Sequence, residues 1–544
     1  MFISPNSTVK LLKDVPLDAS EDHTIWFDTV ANQTAWFNNY VKTGMVFDRQ
    51  TYQRHSKDAI KLEVLADNVY DCNYIMFQNT SFGNKWFYGY ITNIEYVNNN
   101  VTLITYVIDD MQTWFFDYTL GESFVVREHT TNDTIGANVI PESVDLGELC
   151  VADEEALIWP RFGTGAVTGW TWCIVVACPF DKTGTSATGD TATYMYSGCK
   201  YNIFYTKSQL DAFFAQTDVQ TKAAEGQIVN IFYAIANFVV DDLTAVNPTP
   251  VAVPKQINAT VTKHIHGKFK NNYAIATAVI DNDNQYTPKN NKLYTYPYNF
   301  MRVTDNKGTV KDYAYEYFPV DIAPTFRMTG DLSPTPTIIA VPVGYKYNSE
   351  VIADEAQNWD EAITLGDFPQ CTWNSDAFVA WLAQSAIRLG GQMIGAGFGA
   401  WGNYQSPFSA IDDTVSGSVG GILASGGLAY LHGKDTRGRV QNSLSVAMNR
   451  FGLFAQNIRI RADYARIIDE YFTMFGYQTN RVKIPNTHVR QAFTFTQTKN
   501  CVLRKSDMPA DAATHICELF NRGITFWDKN ATVGDYTQSN SILT

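Results

Sequence analysis

Any chemistry in this 544-residue chain would rest on a few short motifs. Gly397, Gly399 and Gly402 have the G-x-G-x-x-G spacing with which a turn approaches a dinucleotide pyrophosphate. Gly427, Gly433 and Lys434 approximate a phosphate loop, and His264 with His266 would share one face of a strand, within reach of a single metal ion. Asp109 with Asp110, and Glu128 with His129, are couples of the kind that acid/base catalysis uses. None of these is complete. The glycine triplet has no strand before it, and the phosphate-loop match has five residues between its glycines and Asp435 where Ser or Thr must ligate magnesium. No third ligand stands at telling spacing from the histidines. Adjacent strand residues point to opposite faces, so neither acid/base couple shares a site by sequence alone. Cysteines at 72, 150, 173, 178, 199, 371, 501 and 517 form no C-x-x-C, and Cys173 and Cys178 are expected to be core thiols. With no G-x-S-x-G and no H-E-x-x-H either, the chain is expected to be no enzyme, with no cofactor and no metal.

Composition points elsewhere. Charged residues are 18 % of the chain, against roughly 25 % in an ordinary globular protein, so much of the folded surface is expected to meet protein rather than water. The net charge of −14 and pI near 5.0 make a poor nucleic-acid grip, because phosphate binding needs Lys and Arg. An acidic protein that nucleic acid merely passes stays open. Hydrophobic content of 45 % excludes intrinsic disorder, and the lack of strongly apolar runs of about 20 residues excludes a polytopic membrane protein. The first twelve residues show no signal-peptide pattern, and the chain is expected to be made and kept in the cytosol.

The elements are mostly strands. Ile60, Leu62 and Val64 alternate with Lys61 and Glu63, a half-buried strand. Runs 85–97 and 101–108 flank Asn98, Asn99 and Asn100, which tolerate the left-handed backbone of a tight hairpin. Trp86, Tyr88, Tyr90, Ile94 and Tyr96 are expected on one face of it, for cross-strand packing or, as the alternative, a sugar platform. Prolines 248, 250 and 254 punctuate the chain, and residues 255–374 look β again. A helix is expected from Ser375 or Asp376, and another over Tyr464, Ile467, Ile468, Tyr471, Phe472 and Phe475, stopped by Gly476. Ile458 and Ile460 alternate with Arg459 and Arg461 as in a strand. A strand at 491–502, a short helix near 511–521 and the run 523–527 close the chain. The expected fold class is mainly β (α+β): antiparallel β domains, a long hydrophobic glycine-rich loop insertion and a C-terminal strand–helix segment. The expected divisions are 1–130, a β domain; 131–250, an inserted domain that can face outward; 255–374, a second β domain; 375–450, helix plus hairpin loop; and 451–544, which completes the first domains.

The loop is the most unusual stretch. Residues 389–411 and 414–433 carry no charge, Asp412 and Asp413 stand between them, and 13 of the 35 glycines fall between Gly390 and Gly438. Its apolar residues are sparse: Met393, Ile394, Phe398, Trp401, Phe408, Ile411, Val415, Val419, Ile422, Leu423, Leu428 and Leu431. Such a hairpin is too glycine-rich for a firm core, too apolar for a solvated linker and not greasy enough to enter a bilayer unaided.

The strings YIMFQNTSFGNKWFYGYITNIEY at 74–96, DDMQTWFFD at 109–117, ESFVVREH at 122–129, FGYQTNRVKIPN at 475–486, TQTKNC at 496–501 and FNRGITFWDKN at 520–530 together resemble the tail-knob proteins of phi29-like short-tailed phages. The resemblance is dense over the first 130 and last 85 residues and thin between 131 and 374. It implies a homohexamer forming the distal tail cylinder of the virion, assembled in the host cytoplasm, with tube-like β domains around a channel that double-stranded DNA passes in transit, without sequence-specific binding. It also implies contact with the lower collar, with a tail-tip or spike protein, and with the host membrane through the hydrophobic loop at 381–445, which plugs the tube and leaves it on ejection. That role is carried over to the stretch, with the twelve apolar residues above as its membrane-active set. Two other readings compete: a receptor-binding tail fibre or adhesin, from the aromatic strands and Thr-rich middle, and a wall-degrading tail enzyme.

Overall fold

The computed structural model describes residues 6–50, 58–80, 83–158, 172–180, 195–196, 199–205, 207–224, 227–228, 230–238, 257–260, 286–318, 324–330, 337–346, 357–366, 370–374, 439–440, 452–505 and 508–543. The chain divides into two units, one of Met1–Gly147, Tyr286–Leu293 and Ala462–Thr544, the other of Glu148–Gln285 and Tyr294–Arg461. It is mainly β.

In chain order the first unit begins with β1 (Ser7–Lys13), β2 (His23–Trp26), α1 (Val30–Asn38), β3 (Val41–Gln50), β4 (Ala59–Leu62), β5 (Cys72–Asn79), β6 (Trp86–Asn98), β7 (Val101–Ile108), α2 (Asp110–Thr113), β8 (Tyr118–Leu120) and β9 (Ser123–Glu128). The second unit supplies β10 (Leu149–Ile158), β11 (Trp172–Cys178), β12 (Met195–Tyr196), β13 (Cys199–Phe204), α3 (Lys207–Phe214), α4 (Thr217–Ala224), β14 (Asn230–Ile235), β15 (Ile257–Thr260), β16 (Asn299–Thr304), β17 (Val310–Tyr313), β18 (Thr325–Gly330), β19 (Thr337–Pro342), β20 (Ile363–Gly366), β21 (Gln370–Asn374), β22 (Arg439–Val440) and β23 (Leu453–Ile460). The chain then returns to the first unit with α5 (Ala462–Phe475), β24 (Tyr477–Lys483), β25 (Phe493–Lys499), β26 (Leu503–Lys505), α6 (Ala510–Arg522) and β27 (Ile524–Asp528).

Within the first unit, one sheet runs β3-β1-β5-β6-β7-β4 and a second β2-β27-β25-β9-β24. Strand alternation puts Tyr74 and Met76 on one face of β5, with Phe37, Phe493 and Trp527, and Ile75 and Phe77 on the other, with Leu62, Ile104 and Tyr106. Both faces of this strand are therefore buried. The expected β6–β7 hairpin is present, but its aromatic stripe is broken. Ile91 pairs with Tyr106 and Asn93 with Thr105, so Thr92 is an extra residue, a bulge that turns the following side chains over. Trp86, Tyr88 and Tyr90 stay on the Phe37 face, Ile94 crosses to the Leu62 face, and Tyr96 is exposed.

Helix α5 forms over the expected residues with a shifted face. Ala465, Ile468 and Phe472 are buried, as is Asp469, while Ile467 is exposed. Asp469 is buried because it holds the returning segment: Tyr286 O–H (2.5 Å) and the Lys289 (2.7 Å) and Asn290 (2.9 Å) N–H groups donate to its carboxylate. Gly476 ends the helix at φ +65°, where a Cβ would lie 2.2 Å from the Glu128 carbonyl oxygen, so glycine is needed for both backbone and space.

In the second unit three antiparallel sheets run β10-β23-β16-β17, β12-β13-β11-β14-β21-β22 and β15-β18-β19-β20. The second of these packs Val175, Phe180, Ile203, Phe204, Phe213 and Phe214 into its core. Cys173 and Cys178 are buried as expected, their thiols donating to the carbonyls of Ala234 and Phe180. In β23 not only Ile458 and Ile460 but also Arg459 is buried, so this central strand is covered on both faces.

Candidate functional site

All twelve apolar residues of the expected membrane-active set lie outside the described residues, and so do the glycine motifs, His264 and His266, and the helix expected from 375. The structure does describe the chain at both ends of the segment 375–438. Strand β21 pairs antiparallel with β14, through Phe232 with Thr372, Tyr233 with Cys371 and Ala234 with Gln370. On its other edge it pairs with β22, Trp373 with Val440 and Asn374 with Arg439. Neighbouring strands lie about 5 Å apart. The residues that flank the 64-residue segment 375–438, Asn374 and Arg439, are thus register partners in the sheet.

The stem is well anchored. Strand β14 reaches the core strand β11 by six register pairs, Trp172 with Ile235 through Ala177 with Asn230. Ala234, Ile235, Val175 and Val176 are buried there, so β11 and β14 are the foundation of the stem. A long excursion on such a base costs little, since each doubling of a closed loop adds only about 0.6 kcal/mol. The arrangement holds the two ends of a long, charge-poor, glycine-rich segment side by side.

The acid/base couples serve the fold. Glu128 accepts from Lys483 Nζ (2.5 Å) and the Asn486 N–H (3.0 Å). His129 accepts the Phe495 N–H at Nδ1 (2.7 Å) and therefore donates from Nε2 to the Thr473 carbonyl (3.0 Å), a neutral imidazole. Burial, then Arg490, lowers its pKa to about 3. Asp109 and Asp110 are not on a strand: they open α2, where Asp109 caps the Gln112 N–H (2.8 Å) and accepts from Tyr74 O–H (2.8 Å). Alternation does not separate residues at a helix start, and both carboxylates act on one neighbour, Glu21. Burial and then the Asp109 charge raise Glu21 to about 7, against the pull of His515, which lies 3.0 Å away. For His515 burial acts downward, but the hydrogen bond to Asp110 (2.8 Å) and the Glu21 charge outweigh it and raise the pKa.

The Glu21 cluster carries a pH prediction. A carboxyl raised in the fold stabilises fully below its unfolded value, and that stability is lost as pH rises through about 7. His515, also raised, has the same sign; His129, lowered, has the opposite one, its stability being lost as pH falls below 6.5. The clean readout is therefore a difference. Glu21→Gln, which cannot ionise, is expected to gain on the natural chain by about 1 kcal/mol, after solvent screening, between pH 5 and pH 8. Urea midpoints at both pH values measure it; a constant difference would contradict the assignment.

Sequence reasoning missed one buried network. Glu142, with no exposed side-chain surface, accepts from Arg127 and from Lys292 and from the Gln478 N–H (2.9 Å). Arg127 also donates to the Gly476 carbonyl (2.7 Å) and stacks 4.7 Å from the Tyr471 ring, and Lys292 donates to the Ile140 carbonyl (2.7 Å). These partners come from distant stretches, so no local spacing signals them. Among the described residues no group of three or more His, Cys, Asp or Glu is placed to hold a metal, and no helix is long and apolar enough to cross a membrane.

Two family profiles match. The caudoviral major tail protein N-terminus matches residues 5–119, and the C-terminal domain of the tail knob protein gp9 of Bacillus phage phi29 matches residues 255–441 and 436–541. Over 98 % of both chains, the sequence is 25 % identical to the tail knob protein gp9 of Bacillus phage phi29, 24 % to that of Bacillus phage PZA and 23 % to that of Bacillus phage B103. The fold is similar to the bacteriophage C1 tail knob protein gp12, with a TM-score of 0.61 and 13 % identity over 99 % of this chain and 100 % of that one.

Proposed function

The chain belongs to the family of the phi29 tail knob protein gp9, phage structural tail proteins, and from that premise we propose that six copies form a hollow distal tail knob whose glycine-rich segments close the channel and later enter the host membrane. In this reading the knob is a structural conduit with no catalytic step, set on the lower collar of the tail, with a tip or spike protein as a further neighbour. It assembles in the host cytoplasm. The observation that carries the membrane role is the stem: β21 and β22 hold side by side, at a sheet edge, both ends of a 64-residue segment that contains the two charge-free stretches 389–411 and 414–433.

The physical argument concerns where such a segment is stable. Six copies on one axis bury one another inside a protein cylinder, out of bulk water. Once extruded, they satisfy one another's backbone groups in lipid, and small residues let the chains approach closely. A single copy does neither well. The net charge of −14 suits a wall along which DNA slides, since a repulsive surface does not retain phosphate.

Purified full-length chain mixed with dye-loaded phospholipid vesicles is expected to release the dye, and a variant lacking 390–438 to leave the vesicles sealed. Equal release by the two would contradict the membrane role of the segment.

A further inference from the structure

Two cysteines that no motif connects meet at the end of the first unit. Cys501 lies in the short turn between β25 and β26, just after Asn500, whose φ of +59° makes the turn tight. Cys517 is on α6. The contact follows from helix geometry: residues four apart share a helix face, and four residues beyond Cys517 is Asn521. The Asn521 side-chain oxygen accepts the Cys501 N–H (3.0 Å) and the Thr498 O–H (3.0 Å), which pins the turn against that face. The two thiols are neighbours, close enough that each acts on the ionisation of the other, and both are free and half-buried.

We propose that Cys501 and Cys517 are a dithiol that a small-molecule disulfide oxidises to an intramolecular disulfide, fastening α6 to the β25–β26 turn. The thiolate of Cys517 attacks one sulfur of the oxidant; the oxidant's S–S bond breaks, one thiol leaves with a proton, and Cys517 is held as a mixed disulfide. Cys501 then gives up its proton and attacks Cys517 Sγ, forming the protein S–S bond and releasing the second thiol. The protein loses two electrons and two protons, and the oxidant gains both. The order follows from the surroundings. Burial and the neighbouring Cys517 push Cys501 up to about 12, whereas Cys517, also raised by burial, is pulled back down by the Cys501 thiol beside it and is the first to ionise.

Oxidation has a mechanical consequence, because α6 supplies Ile516, Leu519 and Phe520 to a core shared with Met111, Ile524 and Phe526. A link from 501 to 517 closes a short loop and restrains the helix in the unfolded chain. Other thiols are internal controls: Cys72, Cys173 and Cys178 are buried.

The test uses the full-length protein incubated with oxidised glutathione at pH 8, then alkylated, digested without reduction and mapped by mass spectrometry. The expected product is a cross-linked peptide pair joining 501 to 517, lighter than its two parts by two hydrogens, with a higher melting temperature than the reduced protein. Cys501→Ser is expected to trap glutathione on Cys517, and Cys517→Ser to form neither product and to show no shift in melting. Recovery of both thiols alkylated, or of glutathione adducts without the cross-link in the natural sequence, would overturn the proposal.

Discussion

Removing residues 390–438 is expected to leave phage particles that assemble and adsorb but fail to deliver DNA, with infectivity reduced by orders of magnitude. Assembly survives because the deletion lies beyond the stem. Residues 375–389 remain to join Asn374 to Arg439, which are register partners about 5 Å apart, and fifteen residues reach several times that distance. Shortening the excursion lowers its closure cost by about 1 kcal/mol, so the β21–β22 edge is expected to keep its pairing. What is lost is the glycine-rich, charge-poor chain itself. Particle counts by electron microscopy, adsorption and plaque titre separate these effects, and a normal titre from such particles would defeat the membrane role.

Replacing Glu142 with Ala is expected to have the largest effect on stability. It leaves the Arg127 and Lys292 cations buried without their shared carboxylate and orphans the Gln478 N–H. Breaking a buried ion pair by removing one partner costs about 3–5 kcal/mol, a large part of the roughly 5–15 kcal/mol by which a domain is stable. The network joins the end of β9, the returning segment at Lys292 and the start of β24, so the loss falls on the junction of three separate stretches. A drop in melting temperature of about 10 °C, or recovery only as insoluble protein, is the expected outcome. Glu142→Gln, which keeps an acceptor without the charge, is expected to fall between. Circular dichroism melts of the three proteins measure it, and an unchanged Glu142→Ala would show that the two cations find other partners.

Local patterns carried much of the fold. The β6–β7 hairpin, the Ile60 and Leu62 alternation and the helix ending at Gly476 each depend on residues close in sequence, and each of these elements forms. Two departures have the same origin. The bulge at Thr92 and the burial of Asp469 in place of Ile467 are decided by partners far along the chain, which β pairing and the Tyr286–Asn290 return supply. The Glu142 network and the Cys501–Cys517 contact are hidden for that reason as well. Composition made the glycine-rich segment stand out, because absent charge and dense glycine need no partner to be seen. The pairing of its ends is different: two residues of β22 beside the end of β21 leave no periodic trace.

The proposal that six copies enclose a channel closed by their glycine-rich segments is tested most directly by electron cryomicroscopy of the purified full-length chain beside the variant lacking 390–438. Sixfold rings in both, with density filling the channel of the first and an open channel in the second, are the expected result. A monomer at high concentration, or the same channel in both proteins, would contradict it.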